Sequence, residues 1–128
     1  MDFDIVNKPK HYNMHSSSIE CIEIVQHLSF CLGNAVKYIW RAALKNENPI
    51  EDYKKAIYYL KKELEMNKNY VDFPHSNKIF AELISKLSKY DDLIGRTFKC
   101  IINNNYFNNK ALPQIIKFLE GELYDRQV

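Results

Sequence analysis

Apolar residues recur at helical spacing along most of this chain. Ile19, Ile22, Val25 and Leu28 fall on one face of a helix spanning about residues 17–30. Ser17 and Glu20 stand ahead of it at capping-box spacing, where a hydroxyl accepts from a free N–H and a carboxylate reaches back. A break at Leu32-Gly33 separates this helix from a second, about residues 34–45. The third starts at Asn48-Pro49-Ile50-Glu51: Asn48 caps, Pro49 suits the first helical position, and Glu51 completes a capping box. It runs to about Met66 with an apolar stripe of Ile50, Tyr53, Ile57, Leu60 and Leu64.

The pattern lapses over residues 67–77, where Asn67, Asn69, Pro74 and Ser76 read as a linker. Tyr70-Val71-Asp72-Phe73 within it has the composition of a short strand. Helical spacing returns near 77–90, 92–102 and 112–124, with Asp91 or Asp92 capping the middle helix and Pro113 starting the last. The first 15 or so residues hold Pro9 and no helical period, and read as an extended arm. With three glycines and four prolines, turn residues are too few for a β architecture. The expectation is an all-α chain. Residues 1–66 form a three-helix domain with its arm, 67–77 a linker, and 78–128 a C-terminal helical region of unassigned role.

Composition narrows the function classes. A net charge of +2 supplies no global field for a nucleic acid polymer or an anionic membrane, so any anion site has to be local. No apolar run approaches the roughly 20 residues of a membrane span. Cys21, Cys31 and Cys100 are odd in number and form no CxxC pair, which fits a reducing cytoplasm. The start, Met1-Asp2-Phe3-Asp4, lacks the basic-then-apolar pattern of a signal peptide.

Local chemistry concentrates in Gly33-Asn34-Ala35-Val36-Lys37-Tyr38-Ile39-Trp40-Arg41-Ala42. On a helical wheel Val36, Ile39, Trp40 and Ala43 share one side. Asn34, Lys37, Tyr38, Arg41 and Lys45 share the other. If the helix starts at Asn34, unpaired N–H groups, the Lys37 charge and the planar fork of Arg41 together make parts of a phosphate site, and Gly33 admits a ligand to the backbone. A cation stripe opposite an apolar one is also the ordinary solvated face of a surface helix. The third helix carries Glu51, Lys55, Tyr58, Tyr59 and Lys62 opposite its stripe. Its two tyrosines would either stack on a base or enter a homo-oligomer interface. In the arm, Lys10, His11 and Tyr12 are candidate ligand contacts, His11 as a donor or proton carrier near neutral pH. His15, His27 and His75 have no histidine or cysteine at ligand spacing, so no metal site is expected.

There is no Gly-x-x-x-x-Gly-Lys-Ser/Thr loop, no Gly-x-Gly-x-x-Gly and no Gly-x-Ser-x-Gly elbow. Glu20 with Glu23 and Glu51 with Asp52 are the close acidic pairs of the first half, and both sit where capping explains them. No catalytic residue is assigned.

Four blocks nevertheless form a recognisable series: Asn7-Lys8-Pro9-Lys10-His11-Tyr12, Ile19-Glu20-Cys21-Ile22-Glu23, the Gly33–Ala42 segment, and Glu51-Asp52-Tyr53-Lys54-Lys55-Ala56-Ile57-Tyr58-Tyr59-Leu60. In order and spacing they resemble the phage and prophage domain called nucleotide kinase-like, over about residues 5–66. The sequence departs from it at Tyr53, where Leu is frequent, and at Leu44-Lys45-Asn46, where a Gly-Lys-Lys-like turn is usual. The resemblance implies a phage setting and handling of nucleotides, with phosphorylation of (deoxy)nucleoside monophosphates, the reaction of one kinase member of a largely uncharacterised family, as the expected activity. A bound nucleotide would bring its own Mg²⁺. The alternative is a non-catalytic sponge for a cyclic nucleotide or ADP-ribose-derived immune signal. A third reading is an interaction module.

Overall fold

A computed structural model of the protein describes residues 14–45, 47–67 and 77–127. Helix accounts for 72% of these residues and no strand occurs among them, so the fold is all-α. The short strand expected at Tyr70–Phe73 lies outside the described residues, as do Lys10, His11 and Tyr12. The helices are α1 (Cys21–Val25), α2 (Phe30–Leu44), α3 (Ile50–Met66), α4 (Lys78–Leu87), α5 (Leu93–Asn103) and α6 (Ala111–Gln127).

The first helix is much shorter than its periodicity suggests. Ser18 has φ 65°, a left-handed conformation that no helix interior holds. Its N–H closes a turn on His15 O at 2.9 Å, and Ser17 is buried in that turn instead of capping a helix. Glu20 takes the N-cap, and the Glu23 carboxylate accepts from its N–H at 2.7 Å. The register changes accordingly. Ile19 and Ile24 are buried, while Ile22, placed by the sequence on the inner face, is exposed.

The second helix begins four residues earlier than expected. Ser29 caps it: Oγ accepts from Leu32 N–H at 3.4 Å and donates to Glu63 Oε1 at 3.0 Å. Leu32 and Gly33 therefore lie inside α2 and do not break it. Gly33 packs toward Val25, where a Cβ would meet ordinary contacts at 3.6–3.7 Å. The third helix keeps its expected span with its start shifted by one. Pro49 is the N-cap, and Asn48 Oδ1 still accepts from Ile50 N–H at 3.1 Å.

Asn77 caps α4 and Asp92 caps α5, their side chains accepting from Phe80 and Gly95 N–H. Gly95 is obligatory for space, because a Cβ there would fall 1.9 Å from Tyr90 O. Asn108 Oδ1 accepts from the N–H groups of Lys110 and Ala111, so α6 starts two residues before Pro113. Pro113 then sits in the first turn, where its missing N–H costs nothing.

α2 and α3 form an antiparallel pair with the most extensive helix contact in the fold, α5 packs on α2, and α6 packs on α3. Val36, Ile39 and Trp40 point inward from α2, as the wheel predicts, and Tyr53, Ala56 and Leu60 from α3. Phe80, Ile84, Phe98, Leu112 and Ile115 join them in one hydrophobic cluster. The core thus runs across both halves of the chain.

A polar cluster ties the segment before α1 to the start of α5. His15 is buried, with Nε2 2.6 Å from Asp92 Oδ2 and Nδ1 2.8 Å from Ser17 Oγ. Nδ1 also accepts from Ser17 N–H, so Nε2 carries the proton that Asp92 receives. The His15 ring packs edge-on to Tyr90 at 4.8 Å and tilted to Trp40 at 5.9 Å.

Candidate functional site

The outward side of the α2–α3 pair collects the functional groups that the sequence singles out. Two features bring them together. The buried stripes fix the rotation of each helix, and the antiparallel pairing sets Phe30 and Tyr38 beside Tyr59 and sets Arg41 beside Asp52. Tyr38 and Tyr59 stack with centroids 6.0 Å apart and planes 5° apart. Phe30 and Tyr58 meet Tyr59 edge-on at 6.1 and 5.2 Å. Phe30 is 75% exposed and Tyr58 57%, so two ring faces remain open to a partner.

Two ammonium groups converge on this cluster. Lys37 Nζ lies 4.8 Å from the Tyr38 ring centroid and Lys55 Nζ, from the facing helix, 5.3 Å. Each contact with a ring face is worth only about 0.5–1 kcal/mol at an exposed site. Neither lysine has a carboxylate partner among the described residues.

One turn further along α2 the arrangement differs. Asp52 is buried and stands between two cations: Oδ1 is 3.4 Å from Arg41 Nε, and Oδ2 is 2.9 Å from Lys45 Nζ. The Lys45 contact is an ion pair without the direction of a hydrogen bond. Arg41 is therefore partly engaged, yet its side chain remains 59% exposed. A second buried carboxylate, Glu63, accepts from Ser29 Oγ and from Asn67 Nδ2 at 2.6 Å.

An open pocket of about 240 Å³ adjoins the aromatic cluster, lined by Val25, Leu28, Phe30, Gly33, Asn34 and Lys37. It falls just short of the roughly 300–1,000 Å³ of pockets that enclose a drug-sized ligand, so it holds only a fragment of one.

The phosphate site read from the sequence needs one correction. Because α2 starts at Phe30, Asn34 and Lys37 lie in its second and third turns, away from unpaired N–H groups. Leu32 N–H is bound by the Ser29 side chain and Gly33 N–H by Ser29 O at 2.7 Å. The Asn34 side chain donates back to Phe30 O at 2.8 Å. Attraction for an anion here comes from side-chain charge and not from the helix terminus. The structure brings together Lys37, Tyr38, Tyr58 and Tyr59, with Arg41 a turn away. Sequence reasoning placed Lys45 on this face but missed Phe30, Asp52 and Glu63 as members of it. Asp52 and Glu63 had a signal available, since each falls beside the apolar stripe of α3 at helical spacing.

Cys21 and Cys31 lie near this region, and the surroundings of both disfavour the thiolate. Burial pushes the Cys21 thiol up to about 12, with the Lys37 ammonium pulling weakly the other way. Burial and the Glu63 charge raise Cys31. Among the described residues no group of three or more His, Cys, Asp or Glu side chains is placed to hold a metal ion. No described helix is long and apolar enough to cross a membrane.

A model of a protein family of unknown function, DUF3310, matches residues 6–61. That stretch contains every residue of the α2–α3 face named above except Glu63. No curated protein and no solved structure matches the chain.

Proposed function

We propose that this protein binds a nucleotide on the outward face of α2 and α3. One observation carries the reading: two lysines from facing helices approach a single tyrosine ring with no carboxylate partner among the described residues. Both ammonium groups stand beside the same ring, and a bound anion that reaches them offsets the local positive charge. The exposed rings of Phe30 and Tyr58 offer stacking surface beside that anion, and a base on an aromatic ring is worth about 1–3 kcal/mol. A phosphate with an attached aromatic base meets both requirements at once.

The likeness of residues 5–66 to phage nucleotide kinase-like domains supports phosphorylation of a (deoxy)nucleoside monophosphate as the purpose of binding. A second reading, sequestration of a cyclic nucleotide or ADP-ribose-derived signal without turnover, is favoured by the state of the two buried carboxylates. Asp52 is committed to Arg41 and Lys45, and Glu63 to Ser29 and Asn67. Neither is poised to take a proton from an attacking hydroxyl.

One experiment separates the readings. The protein is incubated with nucleoside mono- and triphosphates, and separately with cyclic nucleotides and ADP-ribose. The mixture and the heat-released ligand are then resolved by chromatography. New phosphorylated product identifies an enzyme, and unchanged ligand released on denaturation identifies a sponge. Absence of binding, or binding unchanged in the Lys37→Ala/Lys55→Ala double variant, refutes the proposal.

A further inference from the structure

The face has a second rung of charge beyond the Lys37–Lys55 pair. Arg41 follows Lys37 by four residues on α2, and Asp52 precedes Lys55 by three on α3, so each helix presents both rungs on one side. Four residues of helix advance about 6 Å. At the first rung, two cations stand without a carboxylate partner among the described residues. At the second, two cations share one carboxylate, which leaves a net positive charge there as well.

The way Arg41 is engaged matters. Asp52 meets it through Nε, while no carboxylate among the described residues meets its two terminal amino groups, and the side chain is more than half exposed. The contact is an ion pair without hydrogen-bond direction, so Asp52 holds the guanidinium nearby by charge while the exposed side chain keeps donors for a ligand. Lys45 makes a second ion-pair contact with Asp52 at 2.9 Å. Lys54 and Glu51 pair with each other at 3.8 Å on the exposed side of α3, so neither competes for this rung.

We infer that the site takes a ligand with two or more linked phosphates, one phosphate at Lys37 and Lys55 and the next at Arg41, with Asp52 acting as a positioning residue for the guanidinium. A single phosphate reaches one rung; a diphosphate chain reaches both. The inference deepens the proposed nucleotide site and rests on it.

The test compares the affinities of a deoxynucleoside monophosphate and its diphosphate, for each of the four bases, by titration calorimetry on the full chain. The diphosphate is expected to bind at least tenfold more tightly. Arg41→Lys, at an exposed position, is expected to lower that ratio about tenfold, because the outer donors of the fork are lost. Asp52→Asn keeps the side-chain shape and is expected to lower the ratio similarly. A residue with only a structural role would weaken mono- and diphosphate together and leave the ratio intact. Equal affinity for mono- and diphosphate, or a ratio unmoved by Arg41→Lys, overturns this inference and leaves the nucleotide site standing. Absence of binding by every nucleotide overturns both.

Discussion

Replacing His15 with alanine is the sharpest test of how the chain is tied together. The imidazole is buried and bonded at both nitrogens, to Asp92 at 2.6 Å and to Ser17 at 2.8 Å. A hydrogen bond to a charged partner contributes about 1.5–3 kcal/mol and a neutral one about 1 kcal/mol. Loss of the ring also removes packing against Tyr90 and Trp40. Together these predict a loss of about 3–5 kcal/mol, comparable to truncating a large core side chain. Trp40 is the one tryptophan in the chain, buried and adjacent to His15, so its emission follows unfolding at this site. With a urea slope of about 1.5 kcal/mol per molar, the midpoint should fall by about 2–3 M. Asp92→Asn isolates the bond itself, since asparagine still caps α5 as well as aspartate does. The cycle of His15→Ala, Asp92→Asn and the double variant should show a coupling of at least about 1 kcal/mol. Additive effects, or a His15→Ala loss below about 1 kcal/mol, would refute the account of this cluster.

Other outcomes follow from single contacts. Gly95→Ala should destabilise by about 3 kcal/mol or more, seen as a lowered melting temperature, because the new methyl meets the Tyr90 backbone and not a side chain that can turn away. Ser29→Ala should cost about 2–3 kcal/mol in urea unfolding, since it removes the α2 cap and also a donor to buried Glu63. Ser29→Thr, which keeps the hydroxyl, should restore most of the loss. Cys21 should resist iodoacetamide at pH 8 in the folded protein and react readily in urea, as read by mass spectrometry. Its folded value lies above the unfolded one, so its contribution to stability is complete below about pH 9 and fades as pH rises toward 12.

The helices of this fold were legible wherever an apolar stripe was long. α3 and its stripe stand where the sequence places them, and Trp40 is buried as the wheel requires. The failures are local and have local causes. Ser17 and Glu20 match a capping box, but the left-handed turn at Ser18 and the pull of His15 on Ser17 stop a helix from starting there. The glycine at position 33 reads as a break, yet Ser29 caps four residues earlier and α2 runs through it. At the candidate site, the wheel places Lys37, Tyr38 and Arg41 on one face, and periodicity places Tyr58 and Tyr59 opposite the stripe of α3. What one helix at a time cannot reveal is pairing between helices. The stack of Tyr38 on Tyr59, the approach of Lys55 to Tyr38 and the engagement of Arg41 by Asp52 all cross from α2 to α3.

The packing of α5 on α2 and of α6 on α3 bears on how this chain compares with shorter ones. The family-matched stretch ends at residue 61, before any of α4, α5 or α6. Cut away from its C-terminal half, it would bare to water the flank of α2 and α3 that α5 and α6 cover. A protein consisting of little more than that stretch has to roof the flank differently, with an unrelated appendage or by pressing two such flanks together. The C-terminal helices thus act as a lid over this stretch, and a chain without them is the one to inspect for obligate pairing.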